Sequence, residues 1–148
     1  MKKLISALLI LSMLITGCAK KEETTPASAG AVISDVIDLT KLSSILVYTE
    51  VENMMMTPNR YLGKTVKMRG PYYANYYFET EKYYHYVTIE DALACCKQGL
   101  EFVLNGEHVY PDDYPKDNTE IEVTGVFGSY EELEETYYCI YTDSYTAK

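Results

Sequence analysis

The feature that most constrains the fold of this chain is a set of short segments whose side-chain character alternates every two residues. Successive side chains of a β-strand point to opposite faces, so this period predicts half-buried strands. The clearest segment spans residues 82–90, where alternate positions hold Tyr83, His85, Val87 and Ile89. Turn residues separate it from four further predicted strands, at residues 65–73, 100–104, 120–130 and 136–142.

A helix is predicted ahead of the strands, over residues 38–56. Apolar side chains recur there at spacings of three and four, beginning with Leu42, Ile45 and Leu46. Pro58 ends the helix, because the residue before a proline is pushed out of helical geometry. One helix followed by five strands, with longer connections between some of them, predicts a mainly β fold. The expected architecture is a five-stranded Greek-key barrel of the OB type.

Residues 51–70 support this fold through a resemblance. They are similar to the helix-to-first-strand entry of OB-like domains in small bacterial lipoproteins, where a tyrosine, a glycine-lysine turn and a strand ending in glycine recur. In this chain those positions are Tyr61, Gly63 with Lys64, and Gly70. The resemblance implies an OB-like domain, which we place at residues 38–148. Function does not follow from it, because one fold hosts many activities.

The first 18 residues resemble a lipoprotein signal. Lys2 and Lys3 precede an apolar run over residues 4–15, which is too short to span a bilayer but suits the core of a secretory signal. The small pair before Cys18 is similar to the lipobox of bacterial lipoproteins. This resemblance implies cleavage of a signal peptide at residues 1–17 and diacylation of Cys18, for instance with palmitate. The expected location is the extracytoplasmic face of the cell membrane.

The segment at residues 18–37 is predicted to be a flexible linker, because small and polar side chains cannot bury enough surface to offset the entropy of ordering. The whole chain has 13 basic and 22 acidic residues and a formal net charge of −9. Such acidity opposes phosphate binding, so we expect no nucleic-acid partner. The expected partners are the lipid bilayer, through acylated Cys18, and a membrane protein.

Tyrosine dominates the aromatic content, with 16 tyrosines, three phenylalanines and no tryptophan. Most of them suit strands that are apolar on one side and wet at the hydroxyl. A stacking platform for a flat ligand or a sugar is the functional alternative. OB folds bind on the face of their second and third strands. The residues predicted for this ligand face are Tyr72, Tyr73, Tyr76, Tyr77, Tyr83 and His85.

Three thiols remain once Cys18 is acylated, namely Cys95, Cys96 and Cys139. Three interpretations stay open: a disulfide from one of the adjacent pair to Cys139, thiols that are free or bind a metal, and a strained disulfide between the neighbours. Zinc or copper is the candidate cofactor. No C-x₂₋₄-C knuckle of the kind found in structural zinc sites occurs in the chain.

No catalytic constellation is recognisable. The chain has two histidines, no G-x-S-x-G segment and no phosphate loop. The sequence therefore predicts a non-catalytic binding or accessory lipoprotein of unknown ligand. The alternative function is a thiol-based role in metal handling or redox chemistry, carried by Cys95 and Cys96.

Overall fold

The computed structural model describes residues 36–91, 93 and 96–148. The predictions made for the signal peptide, for Cys18, for most of the linker and for Cys95 lie outside these residues. No helix in the described ranges has the length and apolarity needed to cross a membrane.

The described chain is mainly β, with one α-helix ahead of the longer strands, as the sequence predicted. The elements in chain order are β1 Val36–Asp38, a 3₁₀ turn Leu39–Lys41, α1 Ser44–Met56, a 3₁₀ turn Pro58–Arg60, β2 Thr65–Tyr77, β3 Lys82–Glu90, β4 Lys97–Leu104, β5 Glu120–Glu132, β6 Glu135–Thr142 and β7 Tyr145–Ala147. The described residues form seven strands rather than the five predicted. The two additional strands have three residues each, which is too short for a two-residue period to be recognised.

The helix begins six residues later than predicted. The carboxylate of Asp38 accepts hydrogen bonds from the backbone N–H and the hydroxyl of Thr40, and so caps the 3₁₀ turn that precedes α1. Leu42 is extended, which separates that turn from the helix. The predicted linker also ends too late, because Val36 and Ile37 belong to β1 and pair with β2.

The strands pair in the order β1-β2-β3-β4-β6-β5-β7, and β5 also pairs with β2. The five longer strands therefore make a closed cycle of pairings. β2 pairs with β5 through its first half and with β3 through its second half. β4 divides in the same way between β3 and β6, and its pairing with β6 is parallel whereas the rest of the cycle is antiparallel.

Two glycines allow strands to approach closely at these junctions. A Cβ atom at Gly70 would lie 2.1 Å from the carbonyl oxygen of Thr88, and one at Gly125 would lie 2.1 Å from that of Tyr141. Either contact would force backbone apart, so any side chain at these positions displaces a neighbouring strand. The pairing of β2 with β5 is not interrupted at Gly70, which lies in register with Ile121.

The core lies on one face of the sheet and is closed by the helix. Its largest fully buried side chains are Tyr72, Phe102, Phe127, Leu39, Met54, Met68, Leu100, Ile121, Ile140, Val51, Val66 and Val87. The helix contributes Val51 and Met54, whereas Ile45 and Leu46 of the predicted apolar face are more than half exposed. The buried side of the helix is therefore the one that carries Val51 and Met54. Both sides carry apolar residues, so the sequence pattern did not distinguish them.

Candidate functional site

A groove opens where β3 and β4 separate. The two strands are paired only between residues 86–90 and residues 97–101. Beyond that point, β4 turns to pair with β6, and residues 82–85 of β3 lose their β4 partner. The resulting cavity of about 650 Å³ is here named the β3–β4 groove. Its lining residues come from β3, β4, the β4–β5 loop, β5 and β6: Lys82, Tyr83, Tyr84, His85, Glu101, Phe102, Val103, His108, Val109, Tyr110, Tyr114, Tyr130, Glu131, Glu132 and Tyr141.

A continuous row of aromatic rings, here named the aromatic track, runs along one wall of the groove and extends beyond it at both ends. Its members Tyr83, Tyr110, His85 and Tyr114 line the groove. From the tip of the β2–β3 hairpin it comprises Phe78, Tyr76, Tyr83, Tyr110, His85, Tyr114 and Tyr72. The ring centroids of Tyr83 and Tyr110 are 4.2 Å apart, and those of Tyr76 and Tyr83 are 5.0 Å apart. Tyr83 is 45% exposed, so part of the track faces solvent. Exposed aromatic faces of this kind provide stacking surfaces.

His85 lies at the inner end of the track and is buried. Its ring stacks on Tyr114 with centroids 3.7 Å apart, and its Nδ1 lies 2.7 Å from the hydroxyl oxygen of Tyr72. Burial lowers the pKa of His85 to about 4, so the ring is neutral at pH 7. Burial also raises the pKa of Tyr72. Both residues are packed and hydrogen-bonded parts of the core.

The six residues predicted for one ligand face lie on two. Cross-strand pairing places Tyr72, Tyr76, Tyr83 and His85 on the core face of the β2–β3 hairpin. Tyr73 and Tyr77 point to the opposite face, where Tyr77 contacts Tyr84 edge to face. Tyr72 is fully buried and presents no surface to a ligand. The prediction of a single face was wrong because consecutive tyrosines on a strand alternate in direction.

The other side of the groove contains a buried carboxylate. Glu101 lies on the outer face of β4 and is only 7% exposed. The hydroxyl of Tyr130 lies within hydrogen-bonding distance of both its carboxylate oxygens, at 2.9 and 3.1 Å. Burial raises the pKa of Glu101 to about 7, and the negative charge of Glu132 adds to the shift, while the hydrogen bond from Tyr130 opposes it.

Glu132 stands at the entrance on the same side and is partnered. Lys82 forms an ion pair with it at 2.7 Å, and the hydroxyl of Tyr84 donates a hydrogen bond to its other oxygen. These contacts hold the pKa of Glu132 below its usual value. They also connect the start of β3 to the end of β5, across the mouth of the groove.

Sequence reasoning did not identify Glu101, Tyr84 or Tyr130 as site residues. One local signal was present for Glu101, which is the only charged residue in an otherwise apolar run at residues 100–104. A single carboxylate in an apolar strand segment either faces solvent or is buried at a cost in free energy, and the local sequence does not distinguish these two cases. Nothing local distinguishes Tyr84 and Tyr130 from the other tyrosines.

The described thiols do not form a shared site. Cys139 is a free and fully buried cysteine that pairs in register with Glu101. Cys96 is exposed and precedes Glu101 by five residues, or roughly 16 Å along an extended strand. That separation is too large for a disulfide between Cys96 and Cys139. Burial raises the pKa of Cys139 to about 12, which disfavours the reactive thiolate.

Metal binding was the other prediction for these thiols. Among the described residues, no three His, Cys, Asp or Glu side chains lie close enough together to hold a metal ion. Cys95, the remaining predicted ligand, lies outside those residues.

Comparisons with known proteins give little further guidance. No protein-family model matches the chain, and no curated protein matches it. Among solved structures, the N-terminal domain of PriB protein from Thermoanaerobacter tencongensis, solved as a dimer, is similar at 13% identity. The alignment covers 57% of this chain and 94% of the PriB chain, with a TM-score of 0.34. At these values the likeness carries no argument about what this chain binds.

The expected absence of a nucleic-acid partner does not stand as an inference from the acidity of the whole chain. The expectation rested on net charge, which is a sum over the chain and does not describe any one face. Positive charge is in fact concentrated locally, because Lys67, Arg69 and Lys148 all form ion pairs with Glu122. These contacts lower the pKa of Glu122 to about 2.

Proposed function

We propose that this protein is a non-catalytic binding module, tethered to the extracytoplasmic face of the cell membrane, that holds its ligand in the β3–β4 groove. The single observation that carries the proposal is the groove itself, whose volume of about 650 Å³ is within the range usual for small-ligand sites. One wall offers exposed aromatic faces and the other offers hydroxyl and carboxylate groups. This combination of stacking and polar contacts is typical of a recognition site.

The finer fold assignment belongs to the same proposal. We assign β2 to β6 to a barrel of the OB type, in which five strands form a partly open Greek-key barrel. The closed cycle of pairings, with its parallel pair between β4 and β6, supports this assignment. The separation of β3 from β4 supplies the partly open side. β1 and β7 are then additions at the margins of the sheet.

The tether rests on the sequence around Cys18. Its test is metabolic labelling of the full chain in a bacterial host with an alkyne analogue of palmitate. We expect label on the wild-type chain and none on the Cys18→Ser variant, with the variant released from the membrane fraction. Equal labelling of both chains would remove the tether from the proposal and leave the groove unaffected.

Ligand binding is tested with a defined panel of probes: chitotriose, maltotriose, a deoxythymidine hexamer, 1,5-pentanediol and cadaverine. Since the chain contains no tryptophan, its fluorescence comes from its 16 tyrosines, which include those of the aromatic track. We expect at least one probe to change this fluorescence and to bind the Tyr83→Ala variant at least about tenfold more weakly.

Tyr73→Ala is the matched control for this experiment. Tyr73 is 48% exposed against 45% for Tyr83, and it belongs to the same hairpin but points away from the groove. Its replacement should leave binding within about twofold, because surface side chains away from a contact contribute little. Equal loss of binding in both variants would contradict the assignment of the ligand to the groove.

A further inference from the structure

Glu101 has a feature that no other described carboxylate shares: it is buried in the wall of an open groove without a basic partner. Among the described residues, no lysine, arginine or histidine forms an ion pair with it. Its hydrogen bonds come from the neutral phenol of Tyr130. A buried carboxylate without a countercharge is costly when ionised, so it favours either protonation or a cationic ligand.

The groups packed around Glu101 do not supply that countercharge. β3 presents Tyr84 and Tyr86, β6 presents Cys139 and Tyr141, and β5 presents Tyr130 and Glu132. All of these are neutral at pH 7 except Glu132, which is negative. Among the described residues, Lys82 is the only lysine or arginine that lines the groove, and it is held by Glu132. His108 of the β4–β5 loop also lines the groove, and its Nδ1 lies 3.9 Å from a carboxylate oxygen of Asp113.

We infer that the β3–β4 groove binds a ligand bearing an alkylammonium group, and that Glu101 is the counterion for that group. This inference rests on the proposed function, since it takes the groove to be the ligand site. The aromatic faces of Tyr83, Tyr110 and Tyr130 in the lining attract a cation through their negative π-faces. Glu131 also lines the groove and adds to its negative potential.

Binding of such a ligand has a defined proton balance. The free protein holds Glu101 partly protonated at pH 7, because burial raises the pKa of this carboxyl to about 7. The bound ammonium requires the carboxylate, so the carboxyl releases its proton to solvent as the ion pair forms. Affinity should therefore rise by about tenfold between pH 6 and pH 8, as the ionised fraction of Glu101 rises.

Cadaverine is the test probe, and 1,5-pentanediol is its neutral control of matched length. Isothermal titration calorimetry with the full-length wild-type protein at pH 8 should show cadaverine binding at least about tenfold more tightly than the diol. Equal affinity for the two probes would overturn the inference. Nα-acetyl-lysinamide serves as a second probe and separates a free diamine from a lysyl side chain as the source of the ammonium group.

Glu101→Gln removes the charge and keeps a carbonyl oxygen to accept from Tyr130. This variant should lose the preference for cadaverine over the diol and should bind with no dependence on pH. Glu52→Gln, which removes an exposed carboxylate on α1 outside the groove, is the control and should change affinity less than about twofold. A Glu101→Gln variant that keeps pH-dependent cadaverine binding would contradict the role of Glu101.

A measurement on the unmodified protein covers the case in which Glu101→Gln fails to fold. Titrations at pH 7 in buffers of different ionisation enthalpy should reveal net proton release on cadaverine binding, and no release would overturn the inference. Failure of the proposed function has a different signature. If a neutral probe binds and Tyr83→Ala abolishes that binding while cadaverine does not bind, the groove stands as the site and only the ammonium assignment falls.

Discussion

The two sides of the β3–β4 groove both bury a titratable group among tyrosines, yet burial has opposite consequences for them. On the core side, burial lowers the pKa of His85 from 6.5 to about 4, which is further from pH 7. On the outer side, burial raises the pKa of Glu101 from 4.5 to about 7, which brings it to neutral pH. Burial favours the neutral form in both cases. His85 therefore stays in one state at pH 7, whereas Glu101 occupies two.

This comparison separates the core side around His85, which is structural, from the side around Glu101, whose charge changes near pH 7 and which is here named the responsive side. His85 is stacked on Tyr114 and bonded to Tyr72, and neither contact requires a charge. Glu101 has one neutral hydrogen-bonding neighbour, Tyr130, and an open groove beside it. Both side chains line the groove, so burial alone does not indicate a site. It does so here for the acid that has no basic partner among the described residues.

The largest expected effect tests the structural character of the core side. Tyr72→Ala should lower the free energy of unfolding by about 3–5 kcal/mol, because it removes a fully buried aromatic ring and leaves a cavity. Urea denaturation followed by circular dichroism measures this change. Tyr73→Ala, at a half-exposed neighbouring position, should cost less than about 1 kcal/mol. Similar losses for the two variants would break the distinction between the faces.

The next effect concerns the responsive side and depends on pH. A glutamate whose pKa is raised on folding stabilises the fold below pH 4.5 and loses that contribution as pH rises through about 7. Glu101→Gln does not ionise at this position. The free energy of unfolding of the variant minus that of wild type should therefore increase by about 3 kcal/mol between pH 4.5 and pH 8. Urea titrations of both proteins at the two pH values provide the measurement.

His85 makes the opposite contribution, and it must be separated from that of Glu101. A histidine whose pKa is lowered on folding stabilises the fold above pH 6.5 and loses that contribution as pH falls toward 4. Because His85 is common to both proteins, the difference between wild type and Glu101→Gln isolates the carboxyl. A difference that does not change with pH would mean that Glu101 is not perturbed.

A smaller effect is expected at Tyr130. Tyr130→Phe removes the hydroxyl that donates to Glu101 and should cost about 1–2 kcal/mol at pH 8, where the carboxylate is ionised. The hydrogen bond from Tyr130 lowers the pKa of Glu101, so its removal should shift the pH-dependent loss of stability to higher pH. Tyr137→Phe, on the ring that stacks against Tyr130, is the control and should leave the midpoint of that loss unchanged.

The smallest effect concerns Cys139, which lies beside Glu101 in the sheet. Its burial and raised pKa predict negligible alkylation by iodoacetamide at pH 8 in the folded protein and complete alkylation in urea. Peptide mapping by mass spectrometry identifies the modified position. Rapid modification of Cys139 in the folded chain would show that the outer side opens readily, and it would revive a thiol-based function.

Local pattern predicted the elements better than it predicted their ends. The bounds of β3 agree with the two-residue period, because both its faces carry strand-forming side chains. β4 begins three residues before the predicted start, and β2 continues four residues beyond the predicted end. In both cases pairing with β3 extends the strand. A pairing partner far along the chain leaves no mark on the local sequence.

The candidate site was predictable only in part. An abundance of tyrosine around β3 indicated an aromatic surface. Four of the six predicted residues lie on the aromatic track, namely Tyr72, Tyr76, Tyr83 and His85. The opposing wall depends on Tyr130, which reaches Glu101 from 29 residues further along the chain. No pattern within one strand could place those two side chains together.

The sequence by itself determined a mainly β chain with one helix, because side-chain periodicity and proline act on neighbouring residues. Only the tertiary structure decided which tyrosines face the groove, where β3 and β4 separate, and that Glu101 is buried with no ion pair to a basic side chain in the described part of the chain. Those properties arise from pairing and packing between distant segments. Burial, and with it the pKa of a carboxyl group, is a property of the assembled surroundings rather than of the residue.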